Sequence, residues 1–145
     1  ENGILAQTQA PAQISADLAN RACAATADLA NALDLFGLLT VEFFVDKDGG
    51  LLFNEMAPRP HNSFHWTIEG CNTSQFSQLV RTLAGLPFGS TQSYGHWQMD
   101  NLLGQHMASV PDLLATNSVH LHLYGKTEAR NDRKMGHVTR QIKTI

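Results

Sequence analysis

The chain has 145 residues, 43% of them hydrophobic, and a formal net charge of −3. That length suits one domain or slightly more, with apolar content enough for a core. No run of about 18 apolar residues occurs, which excludes a membrane-spanning helix, and Glu1-Asn2-Gly3-Ile4 shows neither the basic nor the apolar stretch of a secretory signal.

Residues 3–14 read as a short strand followed by an irregular segment at Pro11. Ser15 can cap the next element, with Asp17 in its first turn. Leu18, Ala22, Ala25, Leu29, Leu33 and Phe36 recur at spacings of three and four, which predicts a helix over 16–35 with that face against a sheet. Gly37 suits the position just past its end. Cys23 and Cys71, the two cysteines, stand in no metal-binding spacing and read as small buried hydrophobes in a reducing compartment.

Leu38–Asp46 and Leu51–Met56 are rich in β-branched and aromatic residues and flank Lys47-Asp48-Gly49-Gly50, which predicts a β-hairpin. The register matters chemically. A loop of two or four residues puts Glu42 opposite Glu55, with Cβ atoms about 5 Å apart. Two carboxylates so placed repel unless a cation joins them, and they make a natural seat for Mg²⁺, which takes one or two carboxylates plus phosphate oxygens. A loop of three or five residues shifts the register and leaves one glutamate in solvent.

Asn54 to Thr67 packs a carboxylate, a guanidinium, two imidazoles and two amides into fourteen residues. Pro58 and Pro60 hold it extended. Arg59 can grip phosphate or carboxylate oxygens bidentately, and His61 offers an acid/base group or a donor beside Asn62. The four-residue spacing of His61 and His65 would suit zinc on a helix, but the prolines argue against a helix there.

Residues 74–84 predict a second helix, with Ser74 as cap and Phe76, Leu79, Val80 and Leu83 as its buried face. Residues 88–96 are loop-like, and Gly89 to Gly95 mark a boundary between units 1–88 and 89–145. A strand at 98–103 and a short helix at 111–115 follow. Val119–Tyr124 alternates strictly, a strand with His120 and His122 on one face, read as a surface face. Residues 1–125 hold four basic and eleven acidic side chains, whereas 126–145 hold six basic and two acidic. Lys126, Arg133 and Lys134 flank a turn bounded by Gly125 and Gly136, a compact anion site, and Val138–Ile145 reads as the closing strand. Nucleic acid is a poor ligand here because no aromatic residues for base stacking interleave the charges.

Six strings occur in one order: VEFF, LFNEMAPRPHNS, TSQF, GLPFG, LHLYGK and RKMGH. Together they resemble the C-terminal part of the 5-(carboxyamino)imidazole ribonucleotide synthases, ATP-grasp ligases of purine biosynthesis, and the likeness runs over essentially the whole chain. The resemblance implies an α+β fold, the C-terminal half of an ATP-grasp domain followed by a small β-rich domain. It implies ATP and Mg²⁺ as cofactors, with aminoimidazole ribonucleotide and bicarbonate as substrates, in a cytoplasmic homodimer. By the same resemblance Glu42 and Glu55 match the metal ligands and Asn54 lies at the nucleotide phosphates. Arg59, His61 and Asn62 match the bicarbonate or carboxyphosphate pocket, and Lys126, Arg133 and Lys134 the group holding the ribonucleotide 5′-phosphate. The family carries a first half ahead of this region, with the phosphate-gripping lysine, adenine pocket and lid, so the chain by itself is expected to be inactive. Phe64 stands where the family usually has glycine, which raises the question of whether that loop needs a positive φ. Two alternatives remain at this level: a related formate-dependent transformylase, and a non-catalytic nucleotide-phosphate-binding module.

Overall fold

The computed structural model describes residues 3–143. Its elements are β1 (Gln7–Ala10), α1 (Ala16–Ala32), β2 (Thr40–Val45), β3 (Leu51–Ala57), α2 (Thr67–Gly70), α3 (Gln75–Leu83), β4 (His96–Leu103), α4 (Val110–Leu114), β5 (Val119–Leu123) and β6 (Lys134–Ile142), with 3-10 turns at Asn62–Phe64 and Gly104–Ser109. The mixture of helices and antiparallel sheet is the α+β class. Among the described residues no helix is long and apolar enough to cross a membrane.

Four strands form one antiparallel sheet in the order β1-β4-β6-β5, and β2-β3 form a separate hairpin. The buried core lies on the four-stranded sheet, where Met99, Val138 and Thr139 are fully enclosed and Trp97, Leu102, Leu103 and Met135 pack around them. β1 closes one edge by pairing with β4, Gln7 opposite Asp100. On that face Asp100 accepts from Gln7, Gln98 and Arg140. Those bonds and the guanidinium charge hold its carboxyl below the usual range, although burial alone would raise it.

Ser15 caps α1 by accepting from the Leu18 amide. The helix ends at Ala32, three residues short of the expected end, and Asp34 rather than Gly37 takes the left-handed position, at φ 47°. Leu35 N–H reaches back to Ala30 O and Asp34 N–H to Asn31 O, a Schellman closure. Of the expected apolar face only Leu18 is buried, and Leu33 and Phe36 are exposed; Cys23, expected to be a small buried hydrophobe, is exposed as well. On α3 the expectation reverses. Gln75 and Gln78 are buried, while Phe76, Val80 and Leu83 face outwards. The two amides can be buried because backbone groups satisfy them: Gln78 brackets Gly89 through both its N–H and its C=O.

The final strand begins at Lys134, four residues earlier than expected, and runs to Ile142; Thr144 and Ile145 of the predicted strand lie outside the described residues. Gly136 therefore bounds no turn. It sits inside β6 opposite Leu123, where an added Cβ would collide with His122 O. Gly104 is held the same way, pressed against the backbone of Ala129 and Arg130, with its N–H donating to Arg133 O.

Candidate active site

The β2–β3 connection is a five-residue loop, Asp46 to Gly50, since Val45 pairs with Leu51. That length alone would separate the two glutamates. A bulge restores them: Phe43 opposes Phe53, Asn54 is the extra residue, and Glu42 opposes Glu55. Asn54 then turns its amide onto Glu42, donating to Oε2 at 3.3 Å.

His61, buried at 8% exposure, lies between the carboxylates, its Nδ1 3.6 Å from Glu42 Oε1 and its Nε2 3.4 Å from Glu55 Oε1. Ser63 N–H donates towards His61 Nδ1 at 3.4 Å, and Ser63 Oγ lies 2.8 Å from the same nitrogen. Ligand atoms of Glu42, Glu55 and His61 all lie within 4.8 Å of one another. Hard carboxylate oxygens of this kind fit Mg²⁺.

Gln75 holds this corner in place. Its Oε1 accepts from His61 N at 2.8 Å, and its Nε2 donates to His61 O at 2.9 Å and to His65 Nδ1 at 2.8 Å. The Gln75 amide N–H in turn donates to Thr67 Oγ1, whose hydroxyl donates to Phe64 O. Sequence reading missed Gln75, because its partners stand ten to fourteen residues away and nothing local marks it. The TSQF string was the available signal.

Asn62 opens the 3-10 turn with its Nδ2 buried and without a hydrogen-bond partner among the described residues, a donor available to an anion. Arg59 is exposed and donates to its neighbour's carbonyl, Pro60 O. It lines a cleft with Thr40, Phe64, Trp66 and Gln75. Phe64 lies in the turn without a positive φ, so the geometry makes no demand for glycine there. His61 and His65 point to different neighbours, the first to the glutamates and the second to His137, so they do not form a shared zinc site.

Around His65, side chains of the 61–76 segment meet those of β5 and β6. The His65 ring stacks on Phe76 (centroids 5.4 Å apart) and lies 4.9 Å from the His137 ring, which stacks on His122 at 4.6 Å. His122 Nε2 and Glu69 Oε1 are 2.6 Å apart, and Tyr124 OH is 2.8 Å from His137 Nδ1. The β5 face that carries His122 is thus partly interior, against the expectation of a surface face. The register explains it, because edge strand β5 sets His122 opposite His137 of the inner strand β6, while His120 on the same face stays exposed. Burial drives the His65 imidazole down to about 4 and the His137 imidazole to about 3, and pushes the Tyr124 hydroxyl up to about 12.

The basic residues gather on the β5–β6 connection. Lys126 Nζ donates to Lys134 O at 2.6 Å and lies 6.0 Å from the Tyr124 ring centre. Arg133 is exposed and reaches Glu128 O at 3.3 Å. Gln105 clamps the tip by bonding both the Asp132 amide and carboxylate. Lys134 is close enough to His65 to help depress it, so the basic loop and the Gln75–His65 corner are neighbours.

Comparison with known proteins gives the family of the chain and of its fold. The family described as ATP-grasp domain matches residues 1–76, and the phosphoribosylaminoimidazole carboxylase C-terminal domain matches 98–144. An N5-carboxyaminoimidazole ribonucleotide synthase of Brucella melitensis is 51% identical over 97% of this chain and 39% of its own length. An N5-carboxyaminoimidazole ribonucleotide synthetase solved as its ADP complex superposes with a TM-score of 0.95 at 42% identity, over 100% of this chain and 39% of that one. The Aspergillus clavatus synthase, solved with ADP and 5-aminoimidazole ribonucleotide, gives a TM-score of 0.92 at 32% identity, over 99% of this chain and 40% of that one. The chain spans about 39% of the length of the Brucella relative. It belongs to the ATP-grasp family, in the branch of the N5-carboxyaminoimidazole ribonucleotide synthases.

Proposed function

We propose that this chain, within a polypeptide of the length of its relatives, serves a ligase that uses ATP and bicarbonate to carboxylate the exocyclic amine of 5-aminoimidazole ribonucleotide. The observation that carries the reading is the bulged hairpin, which sets Glu42 against Glu55 with His61 between them. In this reading Glu42 and Glu55 hold Mg²⁺, and Asn54 stands by the nucleotide phosphates. Held there, the ion would supply neutralisation of the nucleotide's phosphate charge. Arg59, His61 and Asn62 take bicarbonate and the carboxyphosphate made from it; the unpartnered Asn62 Nδ2 suits an oxyanion. Lys126, Arg133 and Lys134 take the ribonucleotide 5′-phosphate. Phosphoryl transfer needs chiefly positioning and neutralised charge, which is what these groups offer. A cytoplasmic homodimer completes the reading.

The test is an assay of the complete enzyme with ATP and the ribonucleotide, supplying bicarbonate or formate. Carboxylated product with bicarbonate alone, lost in Glu42→Gln and Glu55→Gln, supports the reading. Product with formate contradicts it in favour of a transformylase. ADP release that needs neither substrate contradicts both.

A further inference from the structure

His65 is held in a way that leaves one of its nitrogens free for a ligand. Gln75 cannot be turned round, because its Oε1 must accept from the His61 N–H. Its Nε2 therefore donates, and His65 Nδ1 accepts. A ring with an accepting Nδ1 carries its proton on Nε2. Burial keeps the ring neutral well below neutral pH. Both faces and one edge of the ring are occupied by Phe76, His137 and Tyr124. The Nε2–H has no hydrogen-bond partner among the described residues, and it is not among the buried unsatisfied atoms. It lies between the two anion-binding groups, tied through Gln75 to His61 on one side and beside Lys134 on the other.

We propose that the His65 Nε2–H contacts substrate, donating to an oxygen of the carboxyl group as it passes from carboxyphosphate to the ribonucleotide amine. The proposal rests on the carboxylating reading above. In that step the amine lone pair forms the new C–N bond, and the C–O bond to phosphate breaks with its electrons left on phosphate. The amine proton goes to the departing phosphate. His65 keeps its own proton and contributes one directed, uncharged hydrogen bond, which orients the carboxyl carbon towards the amine.

The experiment measures ADP and carboxylated product together in the complete enzyme. Asn at position 65 can keep the contact to Gln75 but has no group at the Nε2 position, whereas Gln can place an N–H there. For His65→Asn the product formed per ADP falls about tenfold, the scale of one hydrogen bond lost from the transferring group, because carboxyphosphate is lost to water. His65→Gln recovers most of that ratio. Gln75→Glu, whose carboxylate draws the ring proton to Nδ1, loses coupling with His65 unchanged. ADP and product falling in parallel, an unchanged ratio in His65→Asn, or equal losses in the Asn and Gln variants would overturn the proposal. Wild-type enzyme that releases ADP without carboxylated product overturns the parent reading instead, and this inference with it.

Discussion

Gln75 ties three groups together with one amide, the His61 N–H, the His61 carbonyl and the His65 ring. Truncating it strands two buried backbone groups, each costing about 1–3 kcal/mol when left unsatisfied. Gln75→Ala should therefore lower stability by about 3 kcal/mol, read as a shift in the urea midpoint; a change near zero would mean the corner is held by other contacts. The His65 and His137 rings give a second expectation. Their values, moved by burial from 6.5 to about 4 and about 3, mean that the unfolded chain binds more protons across that interval. The stability associated with keeping these rings neutral is complete above about pH 6.5 and is lost as pH falls towards 4. His137→Phe should flatten the urea midpoint between pH 7 and pH 4. At this scale the sequence showed the charged residues but not their supports. Glu42, Glu55 and His61 stand out by residue type, while spacing alone left the pairing of the two glutamates open. Gln75 looks like any polar helix residue until the fold brings its partners to it.

Element by element, the strands and helices were legible, and their ends and faces less so. The hairpin followed from its β-branched runs and Asp-Gly turn. The Glu42–Glu55 pairing survives a five-residue loop only because Asn54 bulges, and a bulge leaves no local mark in the sequence. Ser15 and Ser74 were readable as caps because their side chains bond locally. The end of α1 was not, since Asp34 holds a left-handed position that glycine occupies at lower cost. Asp34→Gly should stabilise the chain by about 1 kcal/mol, measured by thermal or urea melts; destabilisation would show that its carboxylate has a structural role. Gly136 was read as a turn boundary because glycine usually punctuates, yet here it serves close strand packing beneath His122 O. Gly136→Ala should cost about 2 kcal/mol through overpacking and spread β5 from β6, visible as faster amide exchange at His122 and His137. Unchanged exchange would contradict that account.

Across the whole molecule the interior is uneven. The four-stranded sheet has a closed core, whereas Phe36, Phe44, Phe53, Val80 and Leu83 are all more than half exposed. Periodicity on α1 and α3 picked out apolar faces that are largely exposed here, because a sequence pattern cannot say what covers a face, and this chain spans about 39% of the Brucella relative. Produced as these 145 residues alone, it should bind a hydrophobic dye strongly at neutral pH, and the complete enzyme should not; equal dye binding by both would contradict the view that other segments cover these faces. The central claim concerns chemistry between two anion sites, one built on a bulged hairpin and one on the β5–β6 loop. It is tested most directly by following ¹³C-labelled bicarbonate in the complete enzyme with ATP and aminoimidazole ribonucleotide, for wild type and Glu55→Gln. The account predicts a carbamate carbon signal that grows with ADP in the wild type and is absent in the variant. A carbamate signal of equal rate in Glu55→Gln, or none in an ATP-consuming wild type, would contradict it.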